Sequence, residues 1–449
     1  MDAIRNTTLA ELRVGARYSF AHVLTELDLA TAAGVVGTTA LDTTLPARAA
    51  VLLLAHVIGV RFPGAGTRVI EEHYRYAGLA TAGQALTASV LVRAVDVAAG
   101  TAQLDCVVSG RDAAPLVSGQ AVVRAPVAAA SIDESSLPVL RPRTPVVFPA
   151  LLDRCAGRPP VRTAVAHPCD AESLLGPVEA AGKGLITPIL VGPRARIAAA
   201  ALAAGVDIGG FEQIDTPHSH ASAAAAVELV RQGRAGALMK GSLHTDELLA
   251  AALAPEAGLR TERRVSHVFV MDVPAYPRPL LISDAAVNIA PDLEAKADII
   301  RNAIALAVAL GIDPPKVAIL SAVETVTGKI PSTLDAAALC KMAERGQITG
   351  GILDGPLAFD NAVSRLAAEV KGLHSAVAGQ ADILIVPDLE AGNMVAKQLS
   401  YLAGADSAGI VLGLRVPIAL TSRADNAQAR LASCALLVLM AGAGEGLRR

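Results

Sequence analysis

A chain of 449 residues that is 53% hydrophobic and 18% charged can bury a large core, and its length points to two or three domains. Aromatic residues make up only 2%, so the packing must be aliphatic, and a net charge of −3 without a long basic block argues against a nucleic-acid partner. Positive mean hydropathy raises the question of a membrane span. The longest apolar run, "AAVLLLAHVIGV" (49–60), falls short of the ~20 residues a span needs and contains His56. The N-terminus "MDAIRNTTLAELRVG" has no apolar signal core. Cys106, Cys155, Cys169, Cys340 and Cys434 are scattered with no CxxC pair, which argues against zinc or a disulfide framework and for a reducing cytoplasm. The expectation is therefore a cytoplasmic protein with no metal site and no membrane or nucleic-acid partner.

In chain order, "LPARAAVLLLAHVIG" predicts one buried helix. Residues 84–125 then alternate or cluster apolar residues in short β-branched runs broken by "AAG" and "SGRD", which predicts strands. A helix followed by antiparallel strands is an α+β pattern. Between 126 and 149 the chain turns rich in Pro, Ser and Ala with no period, and this stretch reads as a linker. Beyond it, short apolar strands recur: 162–168, 187–192, 235–240, 317–322, 350–355, 382–388 and 416–422. Ala-rich stretches of helical length separate most of them. That rhythm predicts a mostly parallel sheet with helices on both faces, whose ligands bind at the carboxyl ends of strands.

The polar residues after each strand are therefore the candidates. "AGALM" is followed by Lys240, Gly241, Ser242, His244 and Thr245, and "VPIAL" by Thr421, Ser422, Arg423, Asp425 and Asn426. Asn288 follows "PLLISD", and Asn393 follows "DILIVPDLE". Each alone has an ordinary role. Gly241 can relieve a tight turn, and Ser242, Thr245 or Ser422 can cap a helix. Asp425 can offset a helix dipole, and the asparagines can form turns. Together, Lys240, Arg423, Ser422 and the amides of several helix starts make an anion site: helix N-termini offer free N–H groups, Arg a bidentate fork and Lys a point charge. No Walker A, no GxGxxG after a strand and no HExxH is present.

At this point the motifs resemble a known family. "MKGSLHTDELL", "RRVSHVFVMDVPAYPRPLLISDAAVNIAPDLEAKADII", "DGPLAFDNAVS", "VAGQADILIVPDLEAGNMVAKQL" and "VPIALTSRADNAQARL" resemble, in order, the phosphate acetyltransferase/phosphate butyryltransferase family. The resemblance implies a two-subdomain α/β acyltransferase over 146–449, similar to the isocitrate and isopropylmalate dehydrogenases. Subdomain one would take about 146–265 plus 420–449, and subdomain two about 266–419, with the site in the cleft between them. It implies interconversion of acyl-CoA plus inorganic phosphate with acyl phosphate plus CoA. Coenzyme A and phosphate are then substrates, no further cofactor is needed, and a homodimer or larger homo-oligomer is expected. By the same resemblance Arg423 grips the phosphate and Ser422 contacts the leaving group or thiol region. Lys240, Gly241, His244, Thr245, Asn288 and Asn393 fall among the substrate-binding positions. In the acetyltransferase branch an aspartate seven residues beyond the serine serves as base for the thiol; here that position is Ala429. Asp425 is the nearby carboxylate, either as base or as a first-turn dipole partner.

The N-terminal part, 1–128, resembles a MaoC-like hotdog domain through "VGARYSFAHVLTELDLATAAGVVG" and "FPGAGTRVIEEHYRYAGLATAGQALTASVLV", with 129–145 as linker. The resemblance implies the architecture of a bifunctional enoyl-CoA hydratase/phosphate acetyltransferase. The hydratase loop of that family needs a carboxylate and a histidine to activate water. Here the loop reads "GVVGTTALDTT", Asp42 has no nearby histidine, and His56 lies on an apolar helical stretch, where packing is its expected role. The domain is expected to bind thioester or to serve assembly, without hydratase activity.

Overall fold

The computed structural model describes residues 3–25, 28–29, 31–32, 45–78, 80–110, 115–133, 147–420 and 427–443. The chain divides into two compact units, 1–144 and 145–449. The hydratase-like loop with Asp42, most of the linker stretch, and Ser422, Arg423 and Asp425 lie outside the described residues.

The first unit contains β1 (Ala3–Arg5), β2 (Arg17–Val23), α1 (Leu45–His56), β3 (Arg68–Tyr76), β4 (Ala85–Asp96), β5 (Thr101–Ser109), β6 (Pro115–Arg124) and β7 (Ser131–Asp133). Five strands form an antiparallel sheet in the order β2-β4-β5-β6-β3. β4 and β5 alternate buried and outward residues, and their inward side chains, among them Leu86, Val90, Leu104 and Val108, pack with Leu54, Val57 and Ile58 from α1 and the turn after it. The strands expected within 84–125 are β4 to β6. β2 and β3 escape sequence reading because each is an edge strand, and β3 leaves nearly every residue exposed, so it carries no alternation to read. Ser131–Asp133, inside the stretch expected to be linker, instead pairs antiparallel with Ala3–Arg5. His56 is half-buried: its ring lies 5.0 Å from that of Phe20, and its Nε2 accepts from Arg61 Nε at 3.3 Å.

The second unit begins with α2 (Val147–Cys155), β8 (Val161–Ala166), α3 (Ala171–Gly182), β9 (Ile186–Gly192), α4 (Arg194–Ala204), β10 (Glu212–Asp215), α5 (Ser219–Arg231), β11 (Ala237–Lys240) and α6 (Thr245–Leu253). It continues with β12 (Ser266–Asp272), β13 (Leu280–Ser283), α7 (Leu293–Ala309), β14 (Lys316–Leu320), α8 (Pro331–Glu344), β15 (Ile352–Leu357), α9 (Phe359–Val363) and α10 (Arg365–Val370). β16 (Ile383–Ile385), α11 (Leu389–Tyr401), β17 (Asp406–Leu412), β18 (Ile418–Ala419) and α12 (Ala427–Ala443) complete it. Aspartates start several helices by the same device: Asp170, Asp292 and Asp388 each accept from the backbone N–H three residues on, at 2.7, 2.8 and 2.8 Å.

One sheet of eleven strands runs through this unit in the order β10-β9-β8-β11-β18-β17-β12-β13-β16-β14-β15. The expected parallel rhythm holds in two blocks, β10 to β18 and β13 to β15. Between them β18-β17-β12-β13 is antiparallel, which the sequence rhythm did not predict. The physical reason lies in the connections. No helix intervenes between β12 and β13 or between β17 and β18, and a short link without a crossover can only return antiparallel. The seam also reverses polarity, so the two blocks present the carboxyl ends of their strands at opposite ends of the sheet.

β12 is buried on both faces, and His267 within it has no solvent exposure. Burial pushes its pKa down to about 4, with Asp284 opposing weakly. Between that value and the ordinary 6.5, the unfolded chain takes up a proton that the native ring refuses. Stability from this group is thus complete above the unfolded pKa and falls as pH drops toward 4, by up to about 1.4 kcal/mol per pH unit. Urea unfolding at pH 7, 6 and 5 should show the parent losing more stability on acidification than His267→Phe. Equal losses in the two would contradict the assignment.

Candidate functional site

β8, β9 and β10 proceed outward on one side, whereas β11 pairs with the other side of β8. The chain therefore reverses direction between β8 and β11, and the crevice at their carboxyl ends is a topological switch point. The residues there are Ala166-His167 and the Lys240–Thr245 turn. The turn is bound tightly to the β8 end: Gly241 N donates to Ala166 O and Ser242 N to His167 O, both at 2.9 Å. Gly241 is required by this approach, because a Cβ would lie 2.6 Å from the His167 carbonyl oxygen and closer still to that of Ala166.

Lys240 is 6% exposed, and its ammonium donates to Gly241 O at 3.3 Å. Thr245 is the first residue of α6 and is half-buried. The His244 side chain is exposed, while its backbone N–H donates to Glu247 Oε1 at 3.2 Å. The Ser242 hydroxyl is committed to the scaffold, donating to His167 O at 2.8 Å and accepting from Cys169 N at 3.2 Å.

His167 was not singled out from sequence, although it obeys the same strand-end rule as the other candidates. It is the one non-glycine among the described residues with positive φ, at 57°. Such backbone costs of order 1–3 kcal/mol and persists where surroundings hold it. Here they do so at four atoms. The amide donates to Val191 O at 2.7 Å, and the carbonyl accepts twice from Ser242. Nδ1 meets Ser222 Oγ at 2.9 Å, and Arg196 reaches Nε2 at 3.4 Å. Ser222 Oγ donates to His218 O, so the His167 proton sits on Nδ1 and Nε2 accepts from Arg196. Burial first, and then the Arg196 charge, hold the imidazole pKa below its usual value. Burial pushes the neighbouring Cys169 thiol up to about 11, so it is no thiolate at neutral pH.

Asn288 and Asn393 are placed elsewhere. Both follow strands of the second parallel block and so sit at the opposite end of the sheet from Lys240. Asn288 is a lock: Nδ2 donates to Val265 O at 2.8 Å and to Asp284 Oδ2 at 2.5 Å, and Oδ1 accepts from Arg264 Nε at 2.7 Å. Both ends of its amide are engaged by the protein itself. Asn393 Nδ2 donates to Ala285 O at 3.2 Å, tying α11 to the loop after β13. Of the expected residues, the structure groups Lys240, Gly241, His244 and Thr245. β18, which precedes Ser422 and Arg423, pairs with β11 and opens at the same end. An open cleft of ≈ 650 Å³ lies on that end beyond β9, lined by Arg194, Ala195, Asp215, Thr216 and Pro217. Its Asp215 accepts from the Arg194 backbone N–H at 2.8 Å, tying the end of β10 to the start of α4. Among the described residues, no helix is long and apolar enough to cross a membrane.

A family model described as phosphate acetyl/butaryl transferase matches residues 211–438. A phosphate acetyltransferase of Rhizobium meliloti is 62% identical over 300 residues, 67% of this chain and 95% of the relative. A phosphate butyryltransferase of Clostridium acetobutylicum is 43% identical over 281 residues, 63% and 93% of the two chains. The crystal structure of a branched-chain phosphotransacylase from Enterococcus faecalis superposes with a TM-score of 0.55 at 29% identity, covering 62% of this chain and 99% of that one. The fold of the second unit is therefore that of the phosphotransacylases, a class of α/β enzymes. The chain belongs to the phosphate acetyl/butyryl transferase family and is an acyltransferase.

Proposed function

We propose that the second unit interconverts acyl-CoA and inorganic phosphate with acyl phosphate and CoA at the β8–β11–β18 end of its sheet. The observation that carries this reading is the buried Lys240 ammonium at a switch point whose next strand leads into Ser422-Arg423. A phosphate oxygen attacks the thioester carbonyl, a tetrahedral oxyanion forms, and the C–S bond breaks to release CoA thiolate. Lys240 and Arg423 hold the phosphate charge, and Arg423 supplies the bidentate fork. Thr245, at the start of α6, adds a hydroxyl and its amide end. Gly241 permits the close turn, and His244 forms the exposed rim. Ser422 contacts the sulfur, and Asp425 takes or returns the thiol proton in place of the carboxylate that Ala429 lacks. No cofactor beyond the two substrates takes part in this scheme.

The finer architecture belongs to the same proposal. The second unit reads as two subdomains of the isocitrate-dehydrogenase kind, 146–265 plus 420–449 and 266–419, meeting in the antiparallel seam. The first, 1–128, reads as a hotdog domain, supported by one helix packed on a five-stranded antiparallel sheet. It binds thioester or serves assembly rather than hydrating. A homo-oligomer in the cytoplasm completes the scheme.

CoA release from acetyl-CoA and butyryl-CoA, each with and without phosphate, tests the reading. Phosphate-dependent release is expected, and the ratio of rates names the preferred acyl group. No release from either, by folded protein that still binds CoA, would mean a binding protein instead. Crotonyl-CoA should be left unhydrated by the full chain; a measurable loss of its enoyl absorbance would restore the two-reaction alternative.

A further inference from the structure

The strands of the first parallel block lie third-second-first-fourth in chain order, β10-β9-β8-β11, and all pair in parallel. Sheets of this order bind nucleotides across the carboxyl ends of their strands. The residues just past the second strand face the ribose there: an acid takes a free hydroxyl, and an arginine accommodates a ribose phosphate. Here the second strand, β9, ends at Gly192, and Arg194 and Arg196 follow it in "GPRAR". Neither arginine is used in holding inorganic phosphate at the Lys240 turn.

The cleft of ≈ 650 Å³ opens beside them, within the size range of small-molecule sites. Pro193, Ala198 and Pro217 give it apolar walls that suit a flat base, and Arg194 and Asp215 add charge. Asp215 Oδ1 is held by the Arg194 backbone N–H, not by its guanidinium. Arg194 is exposed, and its guanidinium has no ion-pair partner among the described residues. Arg196 reaches the other way, with Nη1 3.4 Å from Nε2 of His167 at the end of β8. A buried relay ties the cleft wall to that contact: Thr216 Oγ1 lies 2.8 Å from Ser222 Oγ, which lies 2.9 Å from His167 Nδ1. Arg194 thus stands in the cleft and Arg196 between the cleft and the switch point. The Lys240 turn is two strands beyond β9, about 10 Å at the usual strand spacing.

We propose that this cleft takes the 3′-phosphoadenosine end of CoA: Arg194 binds the ribose 3′-phosphate, Arg196 binds the diphosphate, and the pantetheine arm runs across the end of β8 to the Lys240 turn. The inference rests on the acyl-transfer reading above and deepens it. The Asp215 oxygen not held by Arg194 N accepts from the neighbouring ribose hydroxyl. A ribose without its phosphate leaves the Arg194 guanidinium nothing to bind, so the cleft selects CoA over its dephospho form.

The test measures phosphate-dependent thiol release from the faster of acetyl-CoA and butyryl-CoA and from its 3′-dephospho form. The parent should show a KM about tenfold lower for the CoA thioester than for the dephospho thioester. Arg194→Ala should raise the first KM to the level of the second, with the dephospho KM, kcat and phosphate KM all within about twofold of the parent. Arg194→Lys should recover part of the preference. Arg196→Ala should raise KM for both thioesters alike; unchanged values would overturn its diphosphate role. A parent that treats the two thioesters equally, or an Arg194→Ala protein that keeps the parent's preference, would overturn the inference and leave acyl transfer standing. A parent with no phosphate-dependent release removes the acyl-transfer reading, and calorimetric titration with CoA and dephospho-CoA then decides the cleft separately. Tighter binding of CoA that is lost in Arg194→Ala supports the subsite, whereas equal affinities or no binding overturn it.

Discussion

Gly241→Ala is expected to lower phosphate-dependent CoA release by about 100-fold or more, the loss that a misplacement of about 1 Å can produce in a catalytic constellation. The new methyl group has nowhere to go, since it meets two backbone carbonyl oxygens rather than a side chain that could swing aside. The turn must move away from β8, and with it go the Gly241–Ala166 and Ser242–His167 hydrogen bonds. Lys240 and Thr245 flank that turn, so the anion site is distorted from both sides. Overpacking of this kind also destabilises by about 1–3 kcal/mol, so the urea midpoint should fall as well. Full activity in the variant would show that phosphate does not bind in this crevice.

Arg423→Ala should act differently. The loss of a charge-assisted pair costs about 1.5–3 kcal/mol, which corresponds to a rise of about 10- to 150-fold in phosphate KM. Folding should be spared, so the thermal midpoint should stay at the parent's. The contrast with Gly241→Ala separates a ligand contact from a scaffold contact. An unchanged phosphate KM would sink the assignment of Arg423.

Much of this site was legible because strand ends are short, apolar runs stop abruptly there, and polar residues stand out against 53% hydrophobic background. The Lys240 turn was found that way. Asn288 was found by the same rule, but sequence does not reveal that Asp284, Val265 and Arg264 engage its amide. His167 sat at a strand end too, but its role depends on contacts with Ser222 and Arg196, 55 and 29 residues away in the chain. β12 and β17 were missed as strands because central strands buried on both faces show no alternation. β10, "EQID", is short and polar at the sheet edge and offers no apolar run at all.

The antiparallel seam has a consequence for how the protein is made. β12 pairs with β17 across more than a hundred intervening residues, including all of the second parallel block. During synthesis the first block, β8 to β11, and the second, β13 to β16, can each gather their own strands as they emerge. They cannot be joined through β17 until its residues have left the ribosome, and α12, which packs on α2 and α3 from the start of the unit, arrives later still. The high contact order of this closure makes it the slow step, and until then β12 has one unpaired, strongly apolar edge. Nascent chains stalled before residue 406 should therefore be the species that chaperones hold.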